Sequence, residues 1–429
     1  MKKLILFLIL SFLWRVGGFA QGDFTRIYHP IINEAELAIV DTNYYDALDY
    51  YKEAFANVKK PFAKDYYNAA ICASMIGKLP LTFEYLEKIV EKGYPSDSLR
   101  KDVFFHYVAD TCKRWPEFEK QMRLVKPNIN WELRDSLNKL YALSMKNFRT
   151  PLTEELRDYF RKNVKAKEII ISKKDTIIRE TNVGDSLYFF GNLPQNLKIQ
   201  QDSLRKMNDK KYTDALNLVS QNLSKLIDNY NFPDENMIGL SGYEYKVISP
   251  RFGRFSIASQ SFNDLMFNKS LMISLLENPS FSNNKDFLSN MIQAIRDGKL
   301  APQQISNVAF SRFNNITKSF ETFPIAYTMG KVQVLQLQLD SNLNCAKAEG
   351  IQNKKFWKKE KLTDYSEAEI NNKRQDIGLE KLADAYKKAF FKAYPTPFMI
   401  NGGTYQKELS YISSCDVLEK MLKESVIIR

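Results

Sequence analysis

Apolar residues recur at steps of three and four through residues 44–94, and this spacing predicts helices in series. Ala47, Leu48, Tyr51, Ala54 and Phe55 share one helical face, with Asp41 and Thr42 as candidate N-caps. Pro61 ends that run because it cannot donate the next intrahelical hydrogen bond. A second stripe follows at Phe62, Tyr66, Ala69, Ala70, Ala73 and Ile76, and Gly77 closes it. The small residues at 69, 70 and 73 let two helix axes approach, while Tyr51, Phe55 and Tyr66 fill the space around them. Leu79-Pro80 opens a third helix with Phe83, Leu86, Ile89 and Val90, ended by Gly93-Tyr94-Pro95. A fourth is expected from a Ser96 or Asp97 cap through Leu99, Val103, Phe104, Tyr107 and Val108.

The same periodicity continues beyond 113, with Trp115-Pro116 read as a turn and Leu133, Leu137, Leu140 and Tyr141 as helical core. Thr153-Glu154-Glu155 signals another helix start, running to about 163. Ile169-Ile170-Ile171 and Thr176-Ile177-Ile178 then change the pattern to two short strands around a polar turn. Helical spacing resumes from Leu197 to Ile227. The Gly-, Asn- and Tyr-rich stretch at 229–250 reads as a structured loop that either binds or caps. Further helices are expected near 271–276 and 284–296, and Leu300-Ala301-Pro302 opens one more. Strict alternation at 329–339 predicts a half-buried strand, paired with the 166–190 strands or with a neighbour. Residues 352–375, where five lysines surround Phe356-Trp357, read as a solvated helix with Trp357 turned inward, with contact to an acidic polymer or a membrane surface as the alternative. An amphipathic helix at 377–392, a last helix from about 405 to 422 and a terminal strand at 426–428 complete the pattern.

The run A-x-x-C-A-x-x-x-G at 69–77, followed by F-x-Y-L-E-K at 83–88, resembles tetratricopeptide repeats, although the Trp-Leu-Gly start of that repeat is missing. The resemblance implies stacked pairs of antiparallel helices that hold a protein or peptide on a concave face. Tyr44, Tyr51, Tyr67 and Tyr85 are the candidate contact residues, with a core role as their alternative. A fainter similarity covers about 200–390. It rests on Y-x-F-P with Ile238-Gly239, A-I-x-x-G-K-L-x-P at 294–302, Tyr327-Thr328-Met329-Gly330 and N-K-R-Q-D-I-G-L-E-K-L at 372–382. These resemble a bacterial domain family with no assigned function, and no activity comes with them. In a purely structural reading, Arg374 fixes a helix start by a salt bridge while Leu379 and Leu382 enter the core.

The expected fold class is therefore mostly α, with repeat-like hairpins followed by a second mainly helical domain with a small β element. The expected domains are a signal peptide at 1–20, helical repeats at 21–165, a β-containing linker or flap at 166–196, a helical domain at 197–393 and a C-terminal helical extension at 394–429.

Charge and candidate chemistry narrow the function. Lys2 and Lys3 precede an apolar run from 4 to 14, and Gly18-Phe19-Ala20 offers a peptidase site, so export to the periplasm or the outside is expected. That run is short for a membrane span, and no transmembrane segment is expected in the mature chain. The formal charge is +12 over all 429 residues, with acids and lysines mixed and no arginine-rich block, which argues against nucleic acid as a partner. Four cysteines fit an exported chain. In a stacked array Cys72 and Cys112 fall on neighbouring helices, which makes Cys72–Cys112 and Cys345–Cys415 the candidate bridges; a buried free thiol is the alternative for each. There are two histidines, His29 and His106, and no G-x-S-x-G, H-E-x-x-H or phosphate-binding glycine loop. Neither a cofactor, a metal nor a catalytic residue is expected. The expectation is a non-enzymatic envelope scaffold for a protein or peptide. The alternatives are a glycan or surface-polymer binder, a carboxylate-dependent glycan hydrolase, and a structural subunit of an envelope assembly. An exposed aromatic row beside carboxylates would favour the glycan binder, and an apolar concave groove the scaffold.

Overall fold

The computed structural model describes residues 23–146, 153–163, 165–171, 176–182, 194–240, 263, 266–267, 270–276, 285–304, 331–339, 351, 355–359, 366–401, 404–412, 414–424 and 426–427. The chain is mostly α, and it divides into two compact units.

The first unit is drawn from 1–134, 226–277 and 283–429. It opens with α1 (Tyr28–Val40), α2 (Tyr44–Asn57), α3 (Ala63–Met75) and α4 (Leu79–Glu91), each packed on the next. Short connections make such neighbours antiparallel. Asn43, and not Asp41 or Thr42, caps α2: its side chain accepts from the Asp46 N–H, and Thr42 takes the left-handed turn at φ 60°. α3 is buried along almost its whole length, because Ala69, Ala70 and Ala73 let its neighbours close over it.

The expected fourth helix is two. Ser96–Leu99 (α5) and Phe105–Thr111 (α6) are separated by turns in which the Asp102 carboxylate accepts the N–H groups of Phe104 and Phe105. Trp115-Pro116 does not make a turn either. It opens α7 (Trp115–Met122), where proline in the first turn forfeits no intrahelical bond, and the Trp115 ring is buried against Phe83 and Phe118.

Later segments complete this unit. α11 (Glu235–Ile238) and the residues around it are stapled to the N-terminal helices: Ala63 N–H donates to Glu235, Lys92 pairs with Glu235 at 3.0 Å, and Leu240 N–H donates to the Lys92 carbonyl. Residues 231–240 thus cap the helical layer, the bland alternative for that loop. α12 (Leu271–Leu276) and α13 (Lys285–Arg296) follow. Then β3 (Lys331–Leu339) pairs antiparallel with β4 (Lys355–Lys359) and parallel with β5 (Thr404–Ile412), and β6 (Val426–Ile427) adds to β4. The sheet order is β5-β3-β4-β6. The strand at 329–339 therefore pairs with the C-terminal part of the chain and not with 166–190. Two helix expectations are overturned: 355–359 is a strand with Phe356 buried, and 404–412 is a strand followed by α16 (Cys415–Glu424). α14 (Glu367–Gln375) starts with a Ser366–Glu369 capping box, and α15 (Leu382–Lys392) packs on α1, β3 and β5.

The second unit is drawn from 135–225 and 278–282. Most of α8 (Trp131–Met145) belongs to it, with α9 (Glu154–Asn163), the antiparallel pair β1 (Lys165–Ile171) and β2 (Thr176–Asn182), and most of α10 (Gln195–Tyr230). Ile169 faces Ile178 and Ile170 faces Ile177 in the register. Leu137, Leu140, Leu156, Leu216, Val219 and Leu223 are buried.

Two motif glycines gain a physical role. Gly298 ends α13 at φ +69°, and a β-carbon there would lie 2.3 Å from Phe24 Cζ. Gly378 has φ +78° and faces His29 and Thr25. Both make room for the start of α1 and the residues just before it. Gly298→Ala is expected to cost on the order of 1–3 kcal/mol from backbone strain and the aromatic clash, read as a lower urea midpoint with an unchanged slope. Arg374 behaves as its structural reading expects: its guanidinium meets Glu380 at 3.2 Å, both side chains are buried, and Leu379 and Leu382 enter the core.

Candidate functional site

The densest polar chemistry lies inside the first unit, where α1, α3, α15 and the segment 398–401 meet. Glu36 of α1 accepts from Lys388 Nζ at 2.7 Å and from Asn401 N–H at 2.7 Å. Lys64 donates to Asn401 Oδ1. Asn68 donates to the Met399 carbonyl at 3.1 Å and accepts the Met399 N–H at 2.8 Å. The Tyr28 hydroxyl donates to Asp65 Oδ2 at 2.6 Å and accepts the Phe62 N–H.

The environment shifts these groups in both directions. Burial, reinforced by Glu36, pushes Asp65 up to about 7, and burial with help from Lys64 lowers His29 to about 3. Desolvation and Lys64 bring Lys392 down to about 8. Lys388 goes the other way: burial disfavours its charge, but Glu36 and Glu380 outweigh it and raise the pKa.

Shifted carboxylates and lysines are what an active site needs, but these are sealed. Glu36 is 0 % and Asp65 1 % exposed, so no sugar ring or peptide reaches either carboxylate in this conformation. The cluster holds the 398–401 segment against α1 and α3.

A second buried network joins Tyr67 and Asn263 to the Asp102 carboxylate and Asn263 to the Tyr94 hydroxyl. It decides the fate of one candidate contact residue. Tyr67 is 0 %, Tyr51 0 % and Tyr85 5 % exposed, so these three rings pack the core and present no surface to a partner. Tyr44 is half-buried, stacked on Phe398 at 5.7 Å.

The Cys72–Cys112 bridge does not form. Both thiols are free, Cys72 buried in α3 with its pKa raised by burial, and the split of the fourth helix removes the equivalence that would have paired them. The expected Cys345–Cys415 bridge falls outside the described residues, because Cys345 does. His29 is buried and its Nε2 has no hydrogen-bond partner among the described residues. His106 is half-buried, with Nδ1 2.9 Å from the Asp102 carbonyl. Among the described residues no group of three His, Cys, Asp or Glu side chains could hold a metal ion, and no helix is long and apolar enough to cross a membrane.

One partly accessible feature with both aromatic and charged character lies across α2, α3 and α4. Phe55 of α2, Tyr66 of α3 and Tyr85 of α4 meet with centroids 4.5, 5.6 and 5.9 Å apart. Phe55 and Tyr66 remain half-exposed. The exposed carboxylates of Asp49 on α2 and Glu84 on α4 act on the Tyr85 hydroxyl. With burial, Glu91 and Glu84 push the Tyr66 hydroxyl up to about 12. The rings tilt against one another at 37° to 83°, so they form a knot and not a flat row. Sequence reasoning missed Phe55 and Tyr66 as surface residues, since both also fit the apolar stripes.

No family model, no curated protein and no solved structure matches the chain.

Proposed function

We propose that this is an exported, non-enzymatic scaffold of the bacterial envelope, built on tetratricopeptide-like hairpins, which recognises a protein or peptide partner. The Phe55–Tyr66 knot, partly open to solvent near Asp49 and Glu84, carries this reading. Aromatic anchors ringed by polar groups are what protein interfaces use. The shifted titratable groups of the buried cluster, by contrast, are enclosed and serve the fold. Glycan binding is the alternative that carboxylates beside aromatics favour. The tilted rings weigh against it, since a sugar stacks on an open, flat ring face.

The test is capture of partners from the cell envelope by the tagged mature protein, with bound protein and sugar both analysed. The expected result is a single stoichiometric protein, lost from Phe55→Leu/Tyr66→Leu, which keeps apolar packing against Tyr51 and Tyr85, while the circular dichroism keeps its helical signature. Recovery of polysaccharide alone would overturn the scaffold reading. Tyr51 and Tyr67 are unsuitable for this test because they are core residues.

A further inference from the structure

We propose that Lys64 and Asn401 are joined by an isopeptide bond that the chain makes within itself, which turns the buried cluster into a site of self-modification. The proposal is independent of what the scaffold binds, because both reactants belong to the chain and neither needs access from outside.

Lys64, in the first turn of α3, donates from Nζ to Asn401 Oδ1. The side-chain carbonyl carbon of Asn401 is one bond beyond that oxygen, so the amine lies beside the carbon it would attack. The Asn401 main chain is held separately. Its N–H donates to Glu36 at 2.7 Å, and Asn68 clasps Met399, two residues earlier, at 3.1 and 2.8 Å. The two partners are 337 residues apart along the chain, yet the fold sets them together. Holding an amine against an amide in this way removes much of the entropic barrier that keeps the same groups from reacting between separate molecules.

The surroundings favour the reaction. Lys64 is 8 %, Asn401 7 % and Glu36 0 % exposed, so bulk water is largely kept from the amine and from the amide carbon. Burial is the largest influence on Lys64 and lowers its pKa, which favours the neutral, nucleophilic amine. Lys388 acts in the same direction, while Glu36, Asp65 and Glu235 oppose it. Lys388 itself keeps its charge, since Glu36 and Glu380 raise its pKa. A fixed positive charge in a dry site stabilises the negative charge that develops on Asn401 Oδ1 during attack.

The step balances without a co-reactant. Neutral Lys64 Nζ attacks Asn401 Cγ, the Nζ–Cγ bond forms and the Cγ–Nδ2 bond breaks. One proton passes from Nζ to Nδ2, and ammonia leaves. Nothing is oxidised or reduced. Glu36, bonded to the Asn401 main chain and first among the charged groups acting on Lys64, is the carboxylate at hand for that proton. The product ties α3 to the chain just ahead of β5 by an amide that neither denaturant nor reductant opens.

The experiment is tryptic peptide mapping of the purified mature protein, reduced and denatured before digestion, by mass spectrometry. The expected result is a branched peptide that unites the stretches around Lys64 and Asn401 and weighs one ammonia less than their sum, with cleavage after Lys64 lost. Lys64→Arg and Asn401→Ala should each abolish the branched peptide. After boiling in SDS the wild type should run ahead of both variants, because its chain stays closed into a loop. Both readouts use denatured chains, so they hold even where a variant folds poorly. The proposal is overturned if trypsin cuts after Lys64 and Asn401 is recovered unchanged. It is equally overturned if ammonia is lost at Asn401 while Lys64 is still cleaved, since that product is a succinimide closed on the Gly402 nitrogen.

Discussion

Lys388→Met is expected to destabilise the protein by about 3–5 kcal/mol, the scale of a buried ion pair broken from one side. Lys388 is 1 % and Glu36 0 % exposed at the side chain, with 2.7 Å between their charged atoms. The substitution removes the only cation paired with Glu36 at ion-pair distance among the described residues and leaves that carboxylate in a place water does not reach. Glu36→Gln should cost less. Lys388 still faces Glu380, which itself retains Arg374, and a glutamine oxygen can still accept the Asn401 N–H. The double variant Glu36→Gln/Lys388→Met should recover much of the loss, because it removes both charges together. Urea unfolding of the four proteins closes the cycle. Near-additivity of the two single losses would show that the pair is not coupled as its geometry implies.

The same substitution has a local readout. Glu36 holds Asn401, Lys64 reaches the Asn401 side chain, and Asn68 clasps Met399 on both its polar groups. This set of bonds fixes the chain immediately before β5. Loosening it should raise hydrogen exchange at 399–401 ahead of α1. The effect links the positioning of β5 to a buried pair whose members, Glu36 and Lys388, lie 352 residues apart along the chain.

Much of the N-terminal helical layer was legible because its signals are local. The stripes at 47–55 and 62–76 became α2 and α3, and Gly77 and Gly93 took the positive φ that their helix ends require. Trp115-Pro116 misled because proline reads as a breaker unless it falls in a first turn, and only the burial of Trp115 shows which applies. The lysines around Phe356 look like a solvated helix; what makes that stretch a strand is its pairing with β3 and β6, contributed from elsewhere in the sequence. Residues 404–412 follow the same logic, since the parallel partner β3 decides the matter. The Ser366–Glu369 capping box was a readable signal that went unread. Glu36 also left a trace: it sits on the face of α1 shared by Ile32, Ala35 and Ile39, and an acid on an apolar face calls for a buried partner. That the partner is Lys388 has no local signature. The tyrosines at 51, 67 and 85 illustrate the converse, for an aromatic at helical spacing reads equally as core or contact until its neighbours are known.

Asp65→Asn should tilt the pH dependence of stability upward, and His29→Gln should tilt it downward. Asp65 titrates at about 7 in the folded chain and near 3.8 when unfolded, so between those values the folded state holds a proton that the unfolded state has released. Its contribution is therefore fully present below about pH 4 and is lost as pH rises through 7. His29 is the mirror case. It is about 3 when folded and 6.5 when unfolded, so its contribution is present above 6.5 and is lost as pH falls toward 3. Each slope is about 1.4 kcal/mol per pH unit at full separation. Over roughly pH 4 to 6.5 the two cancel in the wild-type chain. Subtracting wild-type from variant unfolding free energies at pH 4, 5, 6 and 7 removes every other titration common to both. The Asp65→Asn difference should climb across the series and level off above pH 7. The His29→Gln difference should fall over pH 4 to 6.5 and then stay flat. Two flat difference curves would mean that water reaches both groups, and that the cluster between α1, α3 and α15 opens in solution.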